Sequence, residues 1–102
     1  MGIDNGTTGE ARVLVVDDED SITQLLSTAL RYEGFEVETS ATGRGGLSAA
    51  ESFRPDLVLL DIMLPDLDGF EVQRRLPNGA NGRLPVIFLT ARRDTDDRVR
   101  GL

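Results

Sequence analysis

Four apolar residues followed by a carboxylate, Leu57-Val58-Leu59-Leu60-Asp61, constrain this chain more than any other stretch. The run does not alternate, so it does not read as a strand with one wet face. It is too short to be a helix. It reads as a strand buried on both faces of a parallel sheet. In open α/β sheets, ligand chemistry collects outside the carboxyl ends of the strands. Asp61 then stands on that rim, at the end of a central strand.

The flanking chain repeats the pattern. Ala11 to Val16 holds a second apolar run, Val13-Leu14-Val15-Val16, which stops at Asp17-Asp18-Glu19-Asp20. Ile22, Leu25, Leu26, Ala29 and Leu30 then recur at helical spacing and predict an inward helix face. Asp20 or Ser21 is the expected cap, and Gly34 the expected left-handed stop. Phe35 to Thr39 alternates apolar and acidic side chains, as an edge strand does. Thr42 to Phe53 predicts a second helix, weakened by Gly45 and Gly46 and ended by Arg54-Pro55-Asp56. After the strand Leu57 to Asp61 comes a loop, Ile62 to Gly69, marked by Pro65. A helix from Asp68 to Leu76 ends at Pro77, and Asn78 to Arg83 is turn-rich. Pro85 leads into a fourth strand, Val86 to Leu89, which ends at Thr90, and a last helix begins at Asp94. Residues 1–11 read as a disordered leader. The order β-α-β-α-β-α-β-α predicts an α/β fold: a doubly wound parallel sheet with right-handed crossovers.

Composition narrows the chemistry. The chain has 102 residues, enough for one domain with a modest core. A net charge of -7 argues against direct nucleic-acid contact or membrane-surface binding by this segment. No apolar run approaches the roughly 18 residues that span a bilayer. No basic region precedes an apolar stretch at the N-terminus, so cytoplasmic localisation is the expectation. There is no Cys, hence no disulfide and no thiolate metal site. There is no His, so the chain can neither run a Ser-His-Asp triad nor donate phosphohistidine. Every basic residue is Arg.

Three strands end in oxygen-bearing side chains: Asp17 and Asp18, Asp61, and Thr90. Strands of a parallel sheet point one way, so these ends share one rim. Two carboxylates about 4 Å apart repel by roughly 4 kcal/mol at an effective dielectric near 20. Such a cluster calls for a cation. Hard oxygen donors without His or Cys favour Mg²⁺ or Mn²⁺ over zinc. A metal held on part of its shell by carboxylates suits a pocket that receives a phosphoryl group, with Asp61 attacking phosphorus. Each residue alone has a plainer reading. A single Asp at a strand end is commonly a turn or a cap, and Asp20 is read as one. A lone Thr after a strand is commonly a turn residue. Arg92 and Arg93 read as solvated surface, and Phe70, Val72 and Leu76 as packing. The three ends together carry the functional reading.

These residues resemble a known family. Val13 to Glu19, Asp56 to Gly69 and Pro85 to Arg92 are similar, in order and spacing, to the receiver domain of two-component response regulators. The likeness runs from about Arg12 to the end. It is nearest to receivers of the winged-helix, DNA-binding regulators. The resemblance implies a flavodoxin-like domain and phosphoryl transfer from the phosphohistidine of a sensor histidine kinase to Asp61. It implies Mg²⁺ held by Asp17, Asp18, Asp61 and the backbone carbonyl of Met63. It implies that Thr90 contacts the phosphoryl oxygens and moves on activation, and that the Ala91 amide meets the same group. Pro65 and Gly69 would shape the loop carrying Met63. It implies a phospho-acceptor rather than a turnover enzyme, controlling a transcriptional output domain outside this chain.

The chain departs from the family in one respect. Receivers carry a fifth strand ending in Lys downstream of Thr90, and no Lys occurs here. The expectation is an incomplete receiver over residues 12–102, strand order 2-1-3-4, with the fifth strand and last helix absent from this chain. Strand four then presents an exposed edge, which invites self-association. A receiver-like binding module that works without phosphorylation is the alternative the missing Lys suggests. An aspartyl phosphohydrolase fits less well, because its second acid would stand where Met63 does.

Overall fold

A computed structural model describes residues 11–78 and 82–89. In chain order the elements are β1 (Arg12–Val16), α1 (Asp20–Tyr32), β2 (Glu36–Ser40), α2 (Gly43–Phe53), β3 (Leu57–Leu60), α3 (Gly69–Arg75) and β4 (Val86–Phe88). The four strands form one sheet in the order β2-β1-β3-β4, and every pairing is parallel. This is the doubly wound arrangement expected from the sequence. The Thr90 end of the fourth strand and the helix expected from Asp94 lie outside the described residues.

The sheet divides its side chains by the period of two that a pleated strand imposes. Leu14, Val16, Val58 and Leu60 pack with Ala50 of α2, Val72 of α3 and Leu84. Val13, Val15 and Leu59 pack on the other side with Val37, Leu26 and Leu30. Burying each such side chain contributes roughly 1.5–3 kcal/mol. The central strands β1 and β3 are apolar on both faces because both faces are covered. β2 is an edge strand, and only Val37 of it is buried.

Two local expectations are corrected. Leu25 is 70% exposed and Ala29 is also exposed, so neither belongs to the inward face of α1. That face instead buries Thr23 and Ser27, beside the half-buried Ile22, Leu26 and Leu30. The hydroxyls tolerate burial because each donates within its own helix, Thr23 to the Asp20 carbonyl at 3.1 Å and Ser27 to the Gln24 carbonyl at 3.3 Å. Asp20 is not the cap of α1. Glu19 takes the N-cap position and Asp20 is the first helical residue, where its charge still meets the positive end of the helix dipole.

The stop of α1 is as expected. Gly34 has φ +102°, its amide donates to Arg31 and the Phe35 amide donates to Leu30, the paired bonds of a Schellman ending. Thr42 caps α2 by accepting from the Gly45 amide at 2.9 Å. Gly46 lets that helix sit close, since a Cβ there would lie 2.9 Å from a Val16 methyl. Gly46, which weakens α2 by propensity, thus also lets it approach β1.

Candidate functional site

The register of the sheet builds the site. Val16 of β1 stands opposite both Ser40 of β2 and Leu60 of β3, and Leu60 stands opposite Phe88 of β4. The strands thus end in one row. The next residue along β1 is Asp17 and along β3 is Asp61. Backbone pairing continues through both: the Asp17 amide donates to the Ser40 carbonyl at 3.0 Å, and the Asp61 amide to the Val16 carbonyl at 2.9 Å. The two acids are therefore held by the ladder itself, not by free loops.

Asp17, Asp18 and Asp61 converge. One carboxylate oxygen from each lies within 4.8 Å of the others. Asp61 is wholly buried and Asp17 nearly so, at 0% and 3% exposure, while Asp18 is exposed. Buried charge demands compensation. Part of it comes from backbone amides: Asp17 Oδ1 accepts from the Glu19 amide at 3.0 Å, and Asp61 Oδ1 from the Met63 amide at 3.2 Å. Three hard oxygen donors around one point fit a divalent cation of the Mg²⁺ or Mn²⁺ type and offer nothing to a soft metal.

The loop after β3 is closed tightly beside Asp61. The Gly69 amide donates to the Ile62 carbonyl at 2.7 Å, and Met63 and Asp68 form an isolated antiparallel bridge. A Cβ on Gly69 would lie 2.6 Å from the Asp61 carbonyl oxygen and 2.8 Å from Ile62 Cα. Only glycine lets α3 start this close to the acid. Asp68 caps α3 through the Glu71 amide at 2.9 Å. The Glu71 carboxylate binds the guanidinium of Arg74 and, at 2.6 Å, that of Arg75. These bonds, Arg74 first, hold its carboxyl below the usual range.

Of the residues singled out from sequence, Asp17, Asp18 and Asp61 are brought together, and Met63 stands in the adjoining loop. Thr90 and Ala91 lie outside the described residues. Asp66 had no role in the sequence reading. Its carboxylate accepts from the Gly43 and Arg44 amides at the start of α2, at 2.7 and 2.9 Å. The Arg44 amide foremost, with that of Gly43, outweighs desolvation and lowers its pKa. An Asp directly after Pro65 suggests a cap, but its partners stand more than twenty residues upstream. A cleft of about 220 Å³ lies at the opposite ends of the strands, lined by Arg12, Arg54, Asp56 and Leu84 among others. It is remote from the acids, so concavity alone points to the wrong end of the sheet.

Comparison with known proteins agrees with this geometry. Residues 13–102 match the model of the response regulator receiver domain. The chain is 47% identical over 90 residues to the probable transcriptional regulatory protein TcrX of Mycobacterium tuberculosis, covering 88% of this chain and 38% of that protein. It is 45% identical over 95 residues to the DNA-binding response regulator MtrA of Mycolicibacterium smegmatis, covering 93% of this chain and 41% of that protein. The chain thus spans about two fifths of the length of these curated relatives. Among solved structures it resembles the receiver domain of a sensor histidine kinase from Pseudomonas aeruginosa, which has a magnesium ion coordinated in its active-site cleft. The TM-score is 0.72 at 34% identity, over 89% of this chain and 75% of that one.

Proposed function

This chain belongs to the response regulator receiver domain family, and from that premise we propose that Asp61 accepts a phosphoryl group in two-component signalling. The observation that carries the reading is the convergence of Asp17, Asp18 and Asp61 at adjacent strand ends, with Asp61 buried. A carboxylate oxygen of Asp61 attacks phosphorus. The P–O bond to Asp61 forms as the P–N bond of a kinase phosphohistidine breaks, and the imidazole nitrogen leaves with the electron pair. The buried position of Asp61, held by the ladder and by the Met63 amide, restrains the attacking side chain and keeps bulk water away.

Asp17, Asp18 and Asp61, with the Met63 carbonyl, would hold Mg²⁺, or Mn²⁺ in its place. Such an ion, when bound, offsets the negative charge of the transferring group. The Thr90 hydroxyl and the Ala91 amide donate to the phosphoryl oxygens in this reading. The donor is a sensor histidine kinase, and the chain is a phospho-acceptor in the cytoplasm, not a turnover enzyme. The relatives are a transcriptional regulatory protein and a DNA-binding response regulator, which supports a transcriptional, DNA-binding output; we assign that output to the winged-helix subclass on the sequence resemblance alone. Self-association through the outer side of β4 is part of the proposal. Among the described residues β4 pairs with β3 alone, and Ile87, in register with Leu59, is 53% exposed on the sheet face beside that edge.

The test is incubation with acetyl phosphate and Mg²⁺. Intact mass should rise by one phosphoryl group in the wild type, but not in Asp61→Asn or in the presence of chelator. A folded wild-type sample that never labels would reject the reading. Binding to a partner that is unchanged by Asp61→Asn would favour the phosphorylation-independent module instead.

A further inference from the structure

We propose that Asp66 is a positioning residue for the cation site: it clamps the loop after β3 to the start of α2 and so fixes where Met63 stands. The inference rests on the phospho-acceptor reading and concerns the same site. The loop Ile62–Asp68 is held at its two feet by the bonds already described, Met63 amide to Asp61 and Gly69 amide to Ile62. Its apex is held differently. Asp66 Oδ1 and Oδ2 reach across to the Gly43 and Arg44 amides, at 2.7 and 2.9 Å, and Oδ1 also accepts from the Leu67 amide at 3.0 Å. The Arg44 guanidinium lies 4.0 Å away.

Two properties make this more than a helix cap. First, α2 already has a cap of its own, Thr42. Asp66 satisfies the two amides that Thr42 does not reach, and it does so from another element. Second, the contact is closely fitted. A Cβ on Gly43 would lie 2.9 Å from a Val72 methyl, 3.0 Å from Leu67 Cβ and 3.2 Å from Asp66 Oδ1, so the apex has no room to slide toward α2. Charge-assisted bonds to two helix-terminal amides resist motion in the other direction. The apex is thereby fixed on both sides. Met63, held at the foot of the same loop by Asp61 and bridged to Asp68, is braced from the apex as well.

The test compares Asp66→Ala and Asp66→Asn with Thr42→Ala in the full chain. Thr42→Ala weakens the start of α2 without touching the loop. Mn²⁺ affinity is read by paramagnetic resonance of the free ion, and labelling rate by acetyl phosphate, under conditions where circular dichroism shows each variant folded. Asp66→Ala should bind Mn²⁺ more weakly by up to about tenfold, no more than the lower end seen when a group bonded directly to a ligand is lost, because Asp66 acts through the loop. Asp66→Asn keeps one acceptor oxygen and should fall between it and the wild type; it serves alone if the alanine variant does not fold. Thr42→Ala should bind as the wild type does. Equal losses in the Asp66 and Thr42 variants, or no loss in either Asp66 variant, would overturn the inference while leaving the phospho-acceptor reading intact. A folded wild type that neither binds Mn²⁺ nor labels would overturn both.

Discussion

Replacing Gly69 with Ala should damage stability and phospho-acceptance together, because the methyl group meets only backbone. The new Cβ would stand 2.6 Å from the Asp61 carbonyl oxygen, 2.8 Å from Ile62 Cα and 3.3 Å from the Asp61 carbonyl carbon. Non-bonded carbons rest about 3.5–4.0 Å apart, so relief needs a shift of roughly 0.5–1 Å. No flexible side chain is available to absorb it. The atoms that must move are the backbone of Asp61 and Ile62, or the start of α3. Overpacking costs about 1–3 kcal/mol, and a backbone-to-backbone clash belongs at the upper end. Better helix propensity of Ala returns at most about 1 kcal/mol, and less at the first helical residue. The net loss is about 2–3 kcal/mol, or roughly 10–20 °C in Tm for a domain of this size.

Gly34→Ala is the matched control. Gly34 has φ +102° and no atom within 4 Å of its would-be Cβ, so the cost there is backbone strain of about 1–2 kcal/mol, far from the acids. Thermal melts followed by circular dichroism give the stability of both variants. Acetyl phosphate labelling, run well below each melt, gives the function. Gly69→Ala should label more slowly than Gly34→Ala even when both are folded. A Gly69→Ala chain that melts within about 2 °C of wild type, or labels as fast, would refute the close-approach reasoning.

Three further outcomes follow from the same geometry. Mg²⁺ at a hundred times its Kd should stabilise the folded chain by about 2.7 kcal/mol, and Asp17→Asn should shrink the rise in Tm; an undiminished rise would remove Asp17 from the cation site. Asp66 and Glu71 have folded pKa values below their ordinary 3.8 and 4.5, so their contribution to stability is complete above those values and is lost as pH falls through the folded ones. Urea midpoints measured from pH 7 down to pH 3 should therefore fall less steeply in Asp66→Asn and Glu71→Gln than in wild type, and equal slopes would contradict the assigned bonds. Sedimentation at rising concentration should show self-association, weakened by Ile87→Lys on the exposed sheet face beside the β4 edge; a concentration-independent monomer would count against it.

What the sequence reveals and what it conceals have separate physical causes. The strands and their acidic ends are legible because burial on both faces leaves an unbroken apolar run, and the parallel direction then forces the ends onto one rim. The inner face of α1 is misread because hydropathy treats Thr23 and Ser27 as wet, whereas each hydroxyl bonds a carbonyl of its own helix and is buried without penalty. Leu25, by contrast, is apolar and turned outward. Asp66 escapes notice because its partners are backbone amides, and an amide carries no residue signature across more than twenty positions.

The same limit hides how the acids are held facing one another. After β1, Asp17 Oδ1 accepts the amide of the residue two further on, Glu19; after β3, Asp61 Oδ1 accepts the amide two further on, Met63. These are the same local turn, made twice on neighbouring strands in register. The repetition answers an electrostatic problem. Carboxylates this close repel and would otherwise swing apart, so a cation would have to gather them as it bound. Here Asp17 and Asp61 are each held by a bond from their own backbone. Such bonds let the folding of the domain carry part of the cost of bringing like charges together, which lightens what a bound ion has to supply. Preorganisation of this kind places the site in the two loops as much as in the three acids, which is why Gly69 and Asp66, neither of them within the acid cluster, are expected to govern it.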